Sequence, residues 1–444
     1  MTPALELERP ERLTGDELRD IWIALSPGER LEGFHLLPKV DAEDFFLALP
    51  ARDMAELVLV LPPDDRRSWL RLAPPDDVAD LVQRAPREQR EYLLALLDEP
   101  TRKEVHGLLA YREDEAGGLM SPRYARLRAE LTVDEAISYL RKQARAQLET
   151  IYYVYVIDEQ QRLIGVVSLK QLFAAKPDKT VRDVMRREVV SVGEHMDQEA
   201  VSRIFAGHDL LAIPVVDADG RMKGLVTVDD IVDVVQEEAT EDAQKFGGME
   251  ALDAPYLKIA FFRMVKKRAG WLAALFLGEM LTATAMAYFE MEIARAVVLA
   301  LFVPLIISSG GNCGSQASTL VIRAMALGEV KLRDWWRVVR RELATGLVLG
   351  VVLGSIGFLR IFLWQQVSPI YGEHYLLVAF TVLFSLIGVV TFGTIAGSLL
   401  PFVLRRVGFD PASASAPFVA TLVDVTGLVI YFSVAAIILQ GTLL

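Results

Sequence analysis

A single cysteine, Cys313, stands in 444 residues, which excludes an internal disulfide framework and a thiolate zinc site. Histidine is also scarce, at five, and no nucleophile and base can be assembled into a catalytic constellation, so an enzyme is not expected. No P-loop or other phosphate-cleaving motif is present to couple energy to transport. Positive charge runs short in the first part of the chain, where residues 1–250 carry 49 acidic and 32 basic side chains, net −17. That shortage excludes a nucleic-acid partner, whose affinity rests on neutralising phosphates. The opening stretch MTPALELERPERL has no apolar core preceded by positive charge. It does not read as a signal peptide, and the first half is expected to stay in the cytoplasm.

What the sequence does have belongs to two solvents. It is 52% hydrophobic and 24% charged, with mean hydropathy +0.30. Residues 251–444 carry 10 acidic and 15 basic side chains, net +5, and hold the long apolar runs. Five are long enough to cross about 30 Å of hydrocarbon, each needing about 20 helical residues. They cover approximately 270–289, 294–322, 343–364, 375–404 and 417–440. Arg263, Lys266, Lys267 and Arg268 precede the first; Lys331, Arg333, Arg337, Arg340 and Arg341 separate the second from the third; Arg405 and Arg406 separate the fourth from the fifth. Short cytoplasmic loops are enriched in Lys and Arg, so all three basic connections fall inside. The N-terminus is then cytoplasmic and the C-terminus outside, in the inner or plasma membrane.

The soluble half divides again. Pro38, Pro50, Pro62, Pro74 and Pro86 recur every 12 residues, each after an apolar stretch such as FFLAL or ELVLVL. Proline suits a helix start and stops the preceding helix, so short helices in a small superhelix are predicted over 1–115. A second repeat lies in 116–236: at an offset of 59, Val156, Asp158, Arg162, Gly165 and Val167 match Val215, Asp217, Arg221, Gly224 and Val226. Each unit reads as strand, polar turn, strand and helix, preceded by a helix, and two such units resemble a tandem CBS pair, an α/β regulatory module. Thr227 and Asp230 fit a Ser/Thr-x-x-Asp pattern that holds ribose, which raises ATP as a ligand. In the first unit, Ser168 is followed by Gln171 where the acid would stand.

Two intramembrane stretches carry chemistry. PLIISSGGNCGSQAS in the second span has Gly310, Gly311, Asn312, Gly314 and Gln316. So polar a stretch must be buried in protein or line water, since bare backbone groups in hydrocarbon cost several kcal/mol each. The glycines serve either close helix packing or local unwinding that bares carbonyl oxygens for a hard cation. In the fifth span, PFVATLVDVTGLVIYF places Asp424 well inside an apolar helix without Lys or Arg. An aspartate there costs about 2.5–3.5 kcal/mol, so a functional reading is the default and a dissolved cation the better partner. Glu279, in the first span, is either pore-lining or bonded between helices.

With these parts in order, residues 30–440 resemble the MgtE family of magnesium channels: a superhelical N domain, the junction YREDEAGGLMSP, a CBS pair, a plug or connecting helix over 237–268, a five-helix membrane domain over 269–444, SGGNCGSQAS and LVDVTGL. The resemblance implies a homodimer in the lipid bilayer with one ion path, passive Mg2+ transport, and gating by intracellular Mg2+. By motif position it implies that Asp424 holds the hydrated ion, that Gly311 and neighbouring carbonyls complete that site, and that Asp410 lies at the cytoplasmic entrance. It also implies regulatory metal sites among Asp44, Asp76 and Asp80 of the N domain and Asp197, Glu199, Asp209, Asp230, Asp233, Glu238, Glu241 and Asp242 of the second CBS unit and plug. Ser315 and Ala416 stand where the family pattern can have asparagine. Transport of another divalent such as Mn2+ or Co2+, or a membrane-anchored CBS sensor, are the competing readings.

Overall fold

The computed structural model describes residues 13–144, 148–368 and 370–443. The stretch inspected for a signal peptide lies, but for Leu13, outside the described residues. The chain forms two compact units, Met1–Val235 and Gln236–Leu444.

Among the described residues the first unit opens with eight helices: α1 (Gly15–Ile21), α2 (Pro27–Leu36), α3 (Lys39–Leu47), α4 (Ala51–Val60), α5 (Pro63–Leu70), α6 (Pro75–Arg84), α7 (Arg87–Leu96) and α8 (Glu99–Leu108). The five periodic prolines are the caps of α3 to α7, with φ between −53° and −55°. They stand one residue before the first helical position. The period runs further than the prolines reveal, because Thr14, Ser26 and Asp98 hold the same place before α1, α2 and α8. Thr14 and Ser26 accept the amides of Glu17 and Glu29 in reciprocal capping boxes.

A second periodic device closes the helix ends, whose last carbonyls have no partner within the helix. Arg66, four residues after its cap, donates through Nε to Leu61 O at 2.8 Å and through Nη2 to Leu59 O at 2.7 Å. Arg90 reaches Ala85 O at 3.1 Å, and Arg102 reaches Leu94 O and Leu97 O at 2.9 and 2.7 Å. In the other helices the same position is apolar and buried: Leu18, Ala42, Met54 and Val78. Arg30 combines both kinds. Only 3% exposed, it donates to Trp22 O at 2.9 Å, covers the Trp22 ring at 5.0 Å, and pairs with Glu56 at 2.9 Å and Asp53 at 3.3 Å. Removing one partner of a buried ion pair costs about 3–5 kcal/mol. Arg30→Met should therefore speed amide exchange in α2 by at least a hundredfold; unchanged protection would show the ion pair to be dispensable.

The CBS-like repeat follows: α9 (Ala116–Leu119), β1 (Arg126–Leu127), α10 (Val133–Gln143), β2 (Tyr153–Ile157), β3 (Leu163–Ser168) and α11 (Leu169–Ala174), then α12 (Val181–Val184), β4 (Val192–Gly193), α13 (Gln198–His208), β5 (Ala212–Val216), β6 (Met222–Thr227) and α14 (Val228–Phe246). The two three-stranded sheets have the same topology and register, with Val156 opposite Gly165 in one and Val215 opposite Gly224 in the other. Their edges are exchanged. Ser121, ahead of the first repeat, bridges Leu225 of β6, while Arg186, ahead of the second, bridges Val166 of β3. The close approach requires glycine: a Cβ on Gly224 would lie 2.6 Å from Ser121 O, and one on Gly165 would lie 3.0 Å from Arg186 O.

Helix α14 starts in the first unit and ends in the second, so the expected boundary at 236/237 falls inside a helix. The expected plug over 237–268 is not one helix. Gly248, with φ +73°, ends α14's extension, and the chain is irregular until α15 (Phe261–Tyr288). Then come α16 (Glu290–Arg295), a tight turn over Val297–Phe302, α17 (Val303–Ala326), α18 (Trp335–Val367), α19 (Tyr375–Arg406) and α20 (Ala416–Leu439). Among the described residues, five helical segments are long and apolar enough to cross a membrane, and they match the predicted spans apart from polar turns added at their ends.

Backbones in this unit meet at glycine. A Cβ on Gly393 of α19 would stand 2.4 Å from Gly310 O of α17, and one on Gly397 only 2.1 Å from Gly314 O. Small residues four apart let helices approach this closely, and the packing contacts hold helices together where water supplies no hydrophobic drive. Helix α17 is continuous, so Gly310 and Gly314 serve packing rather than unwinding. Gly397→Ala should destabilise the membrane unit by about 3 kcal/mol or more, because a backbone oxygen cannot step aside. Gly311→Ala should not, its nearest neighbour being Ala420 Cβ at 3.5 Å. Melting of the detergent-purified variants separates the two.

Candidate ion path and regulatory carboxylates

Helix α17 has two faces. Gly310, Gly314 and Ser318 are buried, and Ser318 Oγ donates to Ala414 O at 2.9 Å. On the other face Ser308, Asn312 and Gln316, four residues apart, are exposed within the chain. Asn312 Nδ2 donates to Ser308 Oγ at 3.4 Å. A polar stripe at membrane depth must meet water or another protein surface. Asp424, half-buried on α20, faces the same problem. Glu279, on the largely exposed α15, is itself exposed within the chain and near enough for its charge to act on Asp424. Ser315 and Ala416 turn out to be partners: Ser315 Oγ donates to Ala416 O at 3.3 Å, fastening α17 to the start of α20.

Asp410 caps the turn before α20, accepting from Ala412 N at 2.8 Å. Its other oxygen accepts from Lys245 Nζ at 2.6 Å, and Lys245 also pairs with Glu241. Burial works against the lysine's charge, but the bonds from Asp410 and Glu241 outweigh it and hold its pKa above the ordinary value. Lys245 is a residue that the sequence reading passed over, since nothing in its spacing joins it to a position 165 residues away.

In the first unit, Asp76 and Asp80 of α6 and Asp230 of α14 come together with Asp77, Glu149, Asp229 and Asp233. Asp76 is 9% exposed and its Oδ1 has no hydrogen-bond partner. Burial first, then the charges of Glu149, Asp77 and Asp230, push its pKa well above the carboxylate range. Asp77 is raised to about 6 by burial and by Glu149, Asp229 and Asp233. Burial raises Asp80 to about 7, Asp77 adding to it and Arg84 opposing. Asp230 also rises to about 7, through burial and despite its bond from Thr227. These are hard oxygen donors of the kind Mg2+ takes. Among the described residues no three His, Cys, Asp or Glu side chains already stand in a metal-holding group.

The remaining predicted acids are placed separately. Asp197 caps α13, accepting from Glu199 N at 3.0 Å, and Glu199 pairs with Arg203 at 2.8 Å. Asp209 ends that helix in the left-handed region, at φ +50°. Asp44 is exposed on α3, and Glu238 and Asp242 lie on α14, both with partners. In the nucleotide pattern, Thr227 Oγ1 donates to Asp230 Oδ2 at 2.7 Å, which uses both residues to start α14.

Family models match in the same order as the fold. MgtE, described as a divalent cation transporter, matches residues 303–434; the MgtE intracellular N domain matches 14–114; CBS domains match 116–178 and 181–237. The magnesium transporter MgtE of Thermus thermophilus is 44% identical over 346 residues, 78% of this chain and 75% of that protein. The chain belongs to the MgtE family. The MgtE magnesium transporter of Enterococcus faecalis is 35% identical over 337 residues, covering 76% of this chain and 72% of that one. A solved structure of the cytosolic domain of the Mg2+ channel MgtE in complex with ATP, 42% identical, covers 50% of this chain and 91% of that chain at TM-score 0.48. The MgtE transporter match contains Asp424, Asp410 and Gly311 but begins after α15, so Glu279 lies outside it.

Proposed function

We propose that the chain is a passive Mg2+ channel that works as a homodimer, N-terminus inside and C-terminus outside, and that internal Mg2+ closes it. The observation that carries the reading is the exposed stripe of Ser308, Asn312 and Gln316 on α17, in a membrane unit that also holds Asp424 within an apolar helix. A second copy against this face would turn polar residues that lipid rejects into the wall of a water-filled path. Asp424 supplies the negative field that draws the ion in. Mg2+ dehydrates reluctantly, so carboxylates hold it through its waters rather than stripping them. The membrane potential suffices to drive entry, at about 4.6 kcal/mol per 100 mV for a divalent ion.

Closure rests on the acids of α6 and α14. Mg2+ among Asp76, Asp80 and Asp230 offsets their repulsion and holds the two helices together; when the ion leaves, like charges part them. The relatives' names support Mg2+ as cargo. Purified protein in liposomes should pass Mg2+ in preference to Ca2+ and K+ without ATP. Equal flux of K+ would refute the selectivity, and a requirement for ATP the passive mechanism. A reporter after Leu443 should be active only outside the cell, and one in the 331–334 segment only inside.

A further inference from the structure

We propose that the start of α18 is a phosphate-binding site, its ligand being the phosphate of an anionic phospholipid headgroup or of a soluble phosphate compound. A cavity of about 520 Å³ there is lined by Arg333, Asp334, Trp336, Arg337, Arg340 and Arg341. Arg337, Arg340 and Arg341 fall three or four apart on α18, so their guanidinium groups lie toward one side of the helix, and Arg333 joins them from the tight turn just before it. One carboxylate stands against four cations. Asp334 is already committed, accepting from Lys331 N at 3.1 Å and pairing with Arg337 at 3.3 Å. Among the described residues, Arg333, Arg340 and Arg341 have no ion pair within 4.0 Å. The enrichment of Lys and Arg in short loops on one side of a membrane accounts for basic residues here, but not for their convergence on one cavity. Arginine's planar fork binds phosphate through two parallel hydrogen bonds, which a cavity with several such forks is built to use.

The position favours a membrane ligand. Helix α18 has 33 residues, about 50 Å at 1.5 Å per residue, whereas hydrocarbon is about 30 Å thick. The charged turns before Leu343 therefore project to the headgroup level. Trp335 and Trp336, 48% and 56% exposed, are the aromatic residues enriched at that level. A phosphate held there would pin the start of α18, and through its close packing on α19 the membrane unit, to the headgroup layer.

The full-length protein is placed in nanodiscs of phosphatidylcholine alone or mixed equally with phosphatidylglycerol, and retained lipid is counted by native mass spectrometry. Inorganic phosphate is titrated in parallel onto detergent-solubilised protein. We expect phosphatidylglycerol to be retained about tenfold over phosphatidylcholine, and this preference to vanish both in Arg337→Gln/Arg340→Gln/Arg341→Gln and in the corresponding triple lysine variant, which keeps charge but loses the fork. Phosphate binding lost in the glutamine variant, without lipid preference, would support the site with a soluble ligand. Retention by the lysine variant equal to wild type would overturn it in favour of unspecific attraction. So would identical behaviour of wild type and the glutamine variant in both arms, and melting of each variant alongside verifies that it is folded.

Discussion

Asp424→Asn should lower Mg2+ flux in liposomes by about a hundredfold or more while the protein still purifies as a single species. The substitution keeps size and shape, and it removes a full charge from each copy at membrane depth. Bonds to a charged group contribute about 1.5–3 kcal/mol each, so losing one per subunit of a dimer is enough for that factor. Trp271 Nε1, donating to Ser415 Oγ at 3.2 Å, still fastens α15 to the start of α20. Glu279→Gln separates the field from the contact. Glu279 is exposed within the chain, so the glutamine amide leaves packing intact, and flux should fall less than in Asp424→Asn. Wild-type flux in Asp424→Asn would make the aspartate a packing residue and remove the basis of the ion path.

The second large effect concerns closure. Neutralising Asp76, Asp80 and Asp230 together, each to asparagine, should raise the internal Mg2+ needed for half-inhibition at least tenfold in patch-clamp. Protons compete for the same oxygens, because carboxylates must be deprotonated to bind the metal. Asp77 is raised to about 6 and Asp80 and Asp230 to about 7. The folded unit therefore binds more protons than the unfolded chain between about pH 4 and 7. Without Mg2+ its stability is greatest below that window and falls as pH rises through 6 to 7, where the metal takes over the neutralising task. Acidifying the cytoplasmic face from pH 8 to 6 should shift the inhibition curve of the wild type to higher Mg2+ and leave that of the triple variant in place. A wild-type curve indifferent to pH would remove these carboxylates from the gate.

Period made much of this architecture legible. Twelve-residue proline spacing announced the superhelix, and an offset of 59 announced the paired sheets with their register. Apolar length announced five spans. Period misleads at one point: the proline rule puts helix starts one residue early, because a cap and a first turn both tolerate the same φ. What remained hidden depends on pairs far apart in the chain. Glu149 and Asp230 join Asp76 only once α6 meets the CBS-like repeat, and nothing local marks Glu149 as their neighbour. Lys245 was invisible as the partner of Asp410, although Glu241, four residues earlier, hinted at a helix pair. The acids of α14 expected to act together divide accordingly. Asp230 belongs with Asp76 and Asp80, whereas Glu241 shares Lys245 with Asp410. The glycine motif was ambiguous for a different reason: whether glycine unwinds a helix or admits a neighbour is decided by that neighbour, here Gly393 and Gly397.

The exchanged sheet edges of the CBS-like repeat set a timetable for synthesis. Ser121 waits for Leu225, and at about 5–20 residues per second the ribosome needs roughly 5–20 s to make the chain between them. During that interval the first repeat can complete its own β2–β3 hairpin and receive Arg186, but the strand segment meant for β6 has nothing to pair with. By then the first apolar span is still to be translated. The first unit thus gains its last interlocking edge shortly before the chain must commit to the membrane, so a ribosome pause placed between Thr227 and Phe261 would let that unit close before insertion begins.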